Sequence, residues 1–442
     1  MRALVFIATL LATLPLGFVA PYASVLLWCW LSFMSPHQLI FLSGLPVVYM
    51  AAIVTAIGLI MSREPKRLPR GAAPWLLIFL MIWATVSTVF ALDQNSWGPW
   101  NQTEKTLLLA LTIMIVMTTR ARIHALVWVI ILSAAYFSLK GGIFVLATGG
   151  SYRVQGIDGT VTADNNNLGL VMVMSWPLLN YLRMNSESRW IRLGLMGLMG
   201  LTIFAVLGTY SRGAFLALLP TVGYFWWKSK QKLVIGVLGL IAVVPAIVYM
   251  PKAWVDRMST IETYQQDGSA MGRLQQWEFA MKIARDRPLV GGGFDAAQNG
   301  TVIRNFYPTE SVRAYHSIWF EALGDLGYPG LLTFIAIGAV GLRNANVIRR
   351  ATRNRPELSW ASDLAAMCQV SLAGYFLAGT FLSMTYYDVY YALIAILAVL
   401  RQLVLKPATA VDAGTAREAF IIPNPLKPEY VAAGKELPER RA

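Results

Sequence analysis

The chain has 442 residues, 56% of them hydrophobic and only 14% charged, with a mean hydropathy of +0.54. Soluble globular chains carry about 25% charged residues, so a soluble protein is excluded. Repeated apolar runs of about 20 residues exclude a β-barrel, whose strands alternate and are shorter. The net charge of +14 does not indicate nucleic-acid binding, because the basic residues sit between apolar runs and act as topology signals.

The first run, MRALVFIATLLATLPLGFVAPYAS, imitates a secretory signal. The apolar run resumes after Pro21, and a proline following Ala20 disfavours cleavage there, so it reads as a retained membrane segment. Residues 3–34 form either one long kinked helix or two short ones. Further runs suited to membrane helices lie at 39–61, 72–91, 105–119, 124–147, 167–182, 191–209, 213–227, 233–250, 316–342, 361–382 and 387–405. The predicted fold is all-α, a polytopic membrane protein of about twelve transmembrane helices. Cys29 and Cys368 both fall in apolar runs, so neither a disulfide framework nor a zinc site is indicated.

Lysine and arginine cluster in the connections 62–70, 119–124, 183–192, 227–232 and 343–357, which marks those connections as cytoplasmic. The alternate connections 92–104 and 148–166 are polar and nearly neutral. Both termini lie inside if 1–34 crosses once; the N-terminus lies outside if it crosses twice. The large non-membrane segment 251–315 then falls on the non-cytoplasmic side. It contains an amphipathic helix in which Leu274, Trp277, Met281 and Ala284 make one apolar stripe, ended by Pro288 and the glycines 291–293. The chain divides into a membrane domain, 1–405, which includes the segment 251–315 as a lid, and a proline-rich, disordered cytoplasmic tail, 406–442.

Arg212 lies in a tight turn, GTYSRGAFLAL, between two membrane helices. Arginine cannot shed its charge, so at this depth it either snorkels to lipid headgroups or clamps a phosphate on a ligand. A hairpin this short has little reason to hold a charge unless a ligand uses it. Arg273, at the start of the amphipathic helix, is a helix-edge charge or a second clamp. His316 begins the helix after the large segment, and an imidazole with pKa near about 6.5 can accept a proton from a hydroxyl. Position alone leaves it equally open to a role as an interfacial anchor. His37 is a weaker competitor, and His124 falls on the cytoplasmic side. Glu321 and Asp325, four residues apart, share a helix face and suit helix packing at least as well as catalysis. In YRVQGIDGTVTADNNNLG, Asn165 or Asn166 is placed to cap a helix and Arg153 to contact an anion. The sequence has no D-x-D, no H-E-x-x-H and no Walker loop, which points to chemistry without a metal or cofactor.

Three blocks recur in order: SRGAFLALL (211–219), GRLQQWEFAMKIARDRPLVGGGFDA (272–296) and YHSIWFEALGDLGYPGLL (315–332). The ordered set resembles the O-antigen ligase / O-antigen polymerase superfamily of bacterial inner-membrane enzymes. The resemblance implies a GT-C-like glycosyltransferase that moves a glycan from an undecaprenyl-diphosphate carrier to an acceptor hydroxyl at the periplasmic face. In the ligase branch the acceptor is a sugar of the lipid A core. Related branches elongate the glycan or modify serine and threonine of proteins, and the chain is also similar to O-glycosylation ligases linked to exosortase systems. By matched position, Arg212 and Arg273 hold the diphosphate and His316 is the base; Arg153, Tyr210 and Arg313 are further candidate substrate contacts. The expected mechanism is direct displacement with inversion, needing no metal or cofactor. One departure is YHS, where many members have asparagine after the histidine. A lipid-linked glycan flippase is the alternative of a different class; the basic residues cluster at helix ends and loops rather than mid-helix, which speaks against it. Sugar specificity and oligomeric state are not readable from the sequence.

Overall fold

A computed structural model describes residues 2–40, 44–228, 232–233, 250–259 and 268–405. Among these residues every regular element is helical. The first predicted span is three helices, α1 (Arg2–Thr13), α2 (Leu16–Val19) and α3 (Pro21–Met34). Pro15 caps α2 and Pro21 opens α3, and a proline cannot donate to the preceding turn, so each divides the run. Then come α4 (Pro36–Leu39), α5 (Val47–Met61), α6 (Ala72–Val89), α7 (Trp97–Val116), α8 (Arg120–Thr148), α9 (Asn165–Met184), α10 (Arg189–Gly208) and α11 (Arg212–Lys228). After these lie α12 (Lys252–Ser259), α13 (Gly268–Asp286), α14 (Gly300–Phe306), α15 (Ile318–Ala351), α16 (Ser359–Gly379) and α17 (Asp388–Leu405).

Five of the described helices, α6, α8, α10, α15 and α17, are long and apolar enough to cross a membrane by length and composition. Residues 6–19, α3 and α5 are shorter apolar helices. Most other predicted runs are helical but fall short of that standard: α7, α9 and α16 are interrupted by polar residues such as Glu104, Asn180 and Gln369, and α11 has 17 residues. The predicted run 233–250 lies almost wholly outside the described residues, as does the tail 406–442.

The described residues up to Val404 form one compact unit. Helix α8 packs on α3, α9 and α10, while α16 packs on α9, α11 and α15. The innermost span is α17, where Tyr390 stacks on Tyr375 of α16 with ring centroids 4.5 Å apart. Helix α13 lies against α15.

That last contact is a glycine clasp. Helix α15 breaks at Gly327, which sits at φ 67° and ψ −169°. A break inside a helix strands carbonyls that need new donors. The N–H of Gly292 donates to the Gly324 carbonyl (2.7 Å) and that of Gly293 to the Asp325 carbonyl (3.1 Å). The Trp83 indole donates to the Leu326 carbonyl (3.0 Å), and the Tyr328 N–H returns to the Pro288 carbonyl (2.9 Å). No side chain fits between the two backbones. A Cβ at Gly291 would stand 2.6 Å from the Gly324 oxygen, and one at Gly327 would stand 2.5 Å from the Leu289 oxygen. The glycines of PLVGGG and of LGDLGYPG are therefore the two halves of one joint.

The apolar stripe expected on α13 is real but faces differently. Leu274 and Met281 are exposed, and the face that packs inward is Gln276, Phe279, Ala280, Ile283 and Ala284. Phe279, Ala280 and Ile283 form a small core with Ala297, Ile303, Tyr307 and Tyr315. The helix has two useful faces, and the sequence pattern showed the outer one. Its end before Pro288 is as predicted.

Candidate active site

A two-part cleft opens where four helices begin. Its apolar part, about 260 Å³, is walled by Leu216, Leu274, Trp277, Phe381 and Leu382, together with Arg212. Its polar part, about 450 Å³, is walled by Arg257, Gly272, Arg273, Arg313 and His316. Asn166, Arg257 and Arg273 belong to both. The walls come from the N-terminal halves of α9, α11 and α13, from Arg257 of α12, from the residues just after α16 and from those just ahead of α15. Helix N-termini carry partial positive charge, so the helix ends and the arginines act in the same sense.

Arg212 is the first residue of α11. The chain reaches it through Tyr210, which has a left-handed φ of 58°, an uncommon conformation for a residue with a side chain. The turn is held by the Tyr210 hydroxyl, which donates to the Gly150 carbonyl (2.7 Å), and by the Ser211 hydroxyl, which accepts from the Ala214 N–H (3.2 Å). Helix α9 approaches it through Gly169, where a Cβ would meet that of Ala214 at 2.6 Å. This is the close approach that the small residues of SRGA permit.

His316 is also left-handed, at φ 49°. Strain of this kind persists only where the surroundings over-determine it, and here they do. The His316 N–H donates to the Ser383 hydroxyl (2.9 Å), the Tyr315 carbonyl accepts from the Trp277 indole (3.1 Å), and the Ile318 carbonyl accepts from the Thr385 hydroxyl (2.8 Å). Trp277 is in turn stacked on Phe320, centroids 5.0 Å apart. Burial lowers the His316 pKa from its ordinary value near 6.5, Arg273 and Arg313 push the same way, and Asp164 opposes them. The imidazole is thereby held neutral and able to accept a proton at neutral pH. Ser317, buried beside it, has no hydrogen-bond partner for its hydroxyl.

Glu321 and Asp325 point elsewhere. Glu321 accepts from the Thr385 N–H (2.8 Å), and Asp325 accepts from the Tyr386 hydroxyl (3.2 Å). Both tie α15 to the segment ahead of α17, a packing role. Arg153 and Tyr210 do not wall the cleft. They line an adjoining cavity of about 410 Å³ that shares Arg257 with it, and the Arg153 guanidinium lies over the Tyr210 ring at 5.5 Å. His124 is bonded to the Tyr181 hydroxyl near Trp360, and His37 belongs to α4; neither walls the cleft.

Two features escaped sequence reasoning. Arg257, on α12, walls all three cavities. Its local sequence, KAWVDRMST, reads as ordinary amphipathic surface; the signal was its nearness to Trp254, whose indole donates to the Leu207 carbonyl (3.0 Å) and pins α12 to the end of α10. The cap of α9 is Asp164, which accepts from the N–H groups of Asn166 and Asn167, not Asn165 or Asn166. A carboxylate is the better partner for a helix N-terminus, and this leaves Asn166 to wall the cleft.

No curated protein matches the chain. Residues 1–186 match the model of a family of unknown function, DUF5935. Residues 188–335, which include Arg212, Arg257, Arg273 and His316, match the model described as O-antigen ligase, so this part of the chain is similar to the O-antigen ligase superfamily.

Proposed function

We propose that this protein is an inverting O-antigen ligase of the bacterial inner membrane, with its cleft on the periplasmic face and a GT-C-like plan. Its donor is a glycan on undecaprenyl diphosphate and its acceptor a hydroxyl of the lipid A core. The observation that carries this reading is the division of the cleft: an apolar part, a cluster of partly buried arginines, and a neutral histidine beyond them. A prenyl diphosphate needs those first two surroundings in that order.

In the reaction, the acceptor oxygen attacks the anomeric carbon while His316 takes the hydroxyl proton. The new glycosidic C–O bond forms as the bond from that carbon to the diphosphate oxygen breaks, and undecaprenyl diphosphate leaves with the electron pair. Arg212, Arg273 and Arg257 stabilise the charge developing on it through charge-assisted hydrogen bonds. Attack from the face opposite the leaving group inverts the anomeric centre. The segment 251–315 serves as the lid.

The test uses purified protein with lipid-linked donor. His316→Ala is expected to lower turnover by about 10²–10⁴-fold and Arg212→Ala by about 10²–10³-fold. Near-normal turnover by folded variants would sink the assignment. Offering lipid A-core, free lipid-linked repeat and a serine/threonine peptide in parallel separates ligase from polymerase and from protein O-oligosaccharyltransferase.

A further inference from the structure

A cavity larger than either part of the cleft lies outside it: a trough of about 580 Å³ between the end of α4, the second half of α8 and the loop 153–158. It lies wholly within the residues that match the family of unknown function. We propose that this trough is the acceptor site and that it holds an anionic saccharide, a sugar bearing phosphate or carboxylate. The proposal rests on the transferase reading above and gives the N-terminal part of the chain its role in it.

Three observations carry it. The first is depth. Helix α8 has 29 residues, and at 1.5 Å per residue Lys140 stands roughly 30 Å from Arg120, about one hydrocarbon thickness. With Arg120 at one interface, Lys140 is at the other, where the cleft lies. The second is connection. Arg153 walls both the trough and the adjoining cavity, and Arg257 walls both that cavity and the cleft. The loop carrying Arg153 is fixed to the turn carrying Arg212, since the Val154 N–H donates to the Gly208 carbonyl (2.8 Å) and Tyr210 is bonded to Gly150. A ligand seated in the trough is therefore in register with the diphosphate clamp.

The third is chemistry. The apolar part of the cleft suits an isoprenoid; the trough does not. It is lined by the aromatic residues Tyr136 and Phe144, by Gln38 and Gln155, and by the cations Lys140, which lies over the Tyr136 ring at 5.9 Å, and Arg153. Aromatic faces pack against the C–H faces of sugars, amides bond their hydroxyls, and paired cations bind phosphate or carboxylate. One carboxylate, Asp158, is present against the two cations, so the wall keeps a net positive charge.

The test is calorimetry on the full-length protein in detergent without donor. The probes are a lipid-free oligosaccharide bearing a phosphomonoester and the same oligosaccharide after phosphatase treatment. The phosphorylated probe is expected to bind, with about tenfold weaker binding after dephosphorylation and about tenfold weaker binding by Lys140→Glu. Tyr136→Ala, which leaves the charge in place, is expected to weaken both probes alike. In the transfer assay Lys140→Glu raises the acceptor KM and leaves the donor KM unmoved. Equal binding by wild type and Lys140→Glu, or a change in donor KM instead, overturns the proposal. So does displacement of the probe by phosphatidylglycerol nanodiscs at Lys140-dependent affinity, which would make the trough a lipid-headgroup site. Binding is read without chemistry: full turnover by His316→Ala removes the reaction assignment but not the binding result, and absent binding removes the trough but not the reaction.

Discussion

His316 and Asp164 come from connections far apart in the sequence, yet they set one property together. On the proposed reading His316 is the base, and a base must be neutral, so the acidic limb of the rate–pH profile is expected to mark its protonation. Its pKa is lowered by burial, Arg273 and Arg313 and raised by Asp164, which puts the midpoint of that limb below 6.5. Asp164→Asn removes the opposing charge and moves the limb to lower pH, while Asn can still cap α9. Arg313→Gln removes a neighbouring cation and moves it to higher pH. Measuring kcat/KM from pH 5 upward checks both signs, and shifts in the same direction would contradict the electrostatic account. Arg212 and His316 drew notice because each stands at the edge of an apolar run, and Arg273 because it lies at the start of the amphipathic helix; the structure brings all three to one cleft. Arg257 did not, because KAWVDRMST reads as amphipathic surface and only the Trp254 bond to the end of α10 brings it to the cleft. Asp164 was passed over for the asparagines beside it, since the cap is chosen by backbone geometry that composition does not reveal.

At the scale of elements, the clasp between residues 288–293 and the break in α15 joins the end of α13 to the helix that His316 precedes. Gly291 has φ 64° and backbone atoms within 2.6 Å and 2.7 Å of any added Cβ. Gly291→Ala is therefore expected to cost more than about 2 kcal/mol. Gly300→Ala, whose Cβ would meet its first neighbour at 3.7 Å, is expected to stay within about 1 kcal/mol of wild type. Thermal unfolding of both variants in detergent compares them, and equal melting temperatures would show that the clasp bears no load. Helix positions were readable from hydropathy to within a few residues at most of the predicted runs, as at α9, α10 and α11. The inner face of α13 was not, because Gln276, fully buried, interrupts its apolar pattern while its amide donates to Ser311.

For the whole molecule, the basic connections set an orientation that can be read chemically. Cys29 and Cys368 are fully buried, so the background for thiol labelling is low. Ser151→Cys, at the cleft end of α8, is expected to react with a membrane-impermeant maleimide added to spheroplasts. Ser188→Cys, ahead of α10, is expected to react only after the membrane is opened. The reverse pattern would turn the cleft toward the cytoplasm and end the periplasmic reading. The broken helix has a further consequence. Past Gly327, Tyr328–Ala351 amounts to roughly 36 Å of helix, enough to span a hydrocarbon core of about 30 Å unaided. The short piece that follows His316 is held by the clasp at one end and by the Ser383, Trp277 and Thr385 bonds at the other. Hydrophobic mismatch in a thinner or thicker bilayer is then absorbed by tilt of the longer piece, and the spacing between base and arginines is insulated from it.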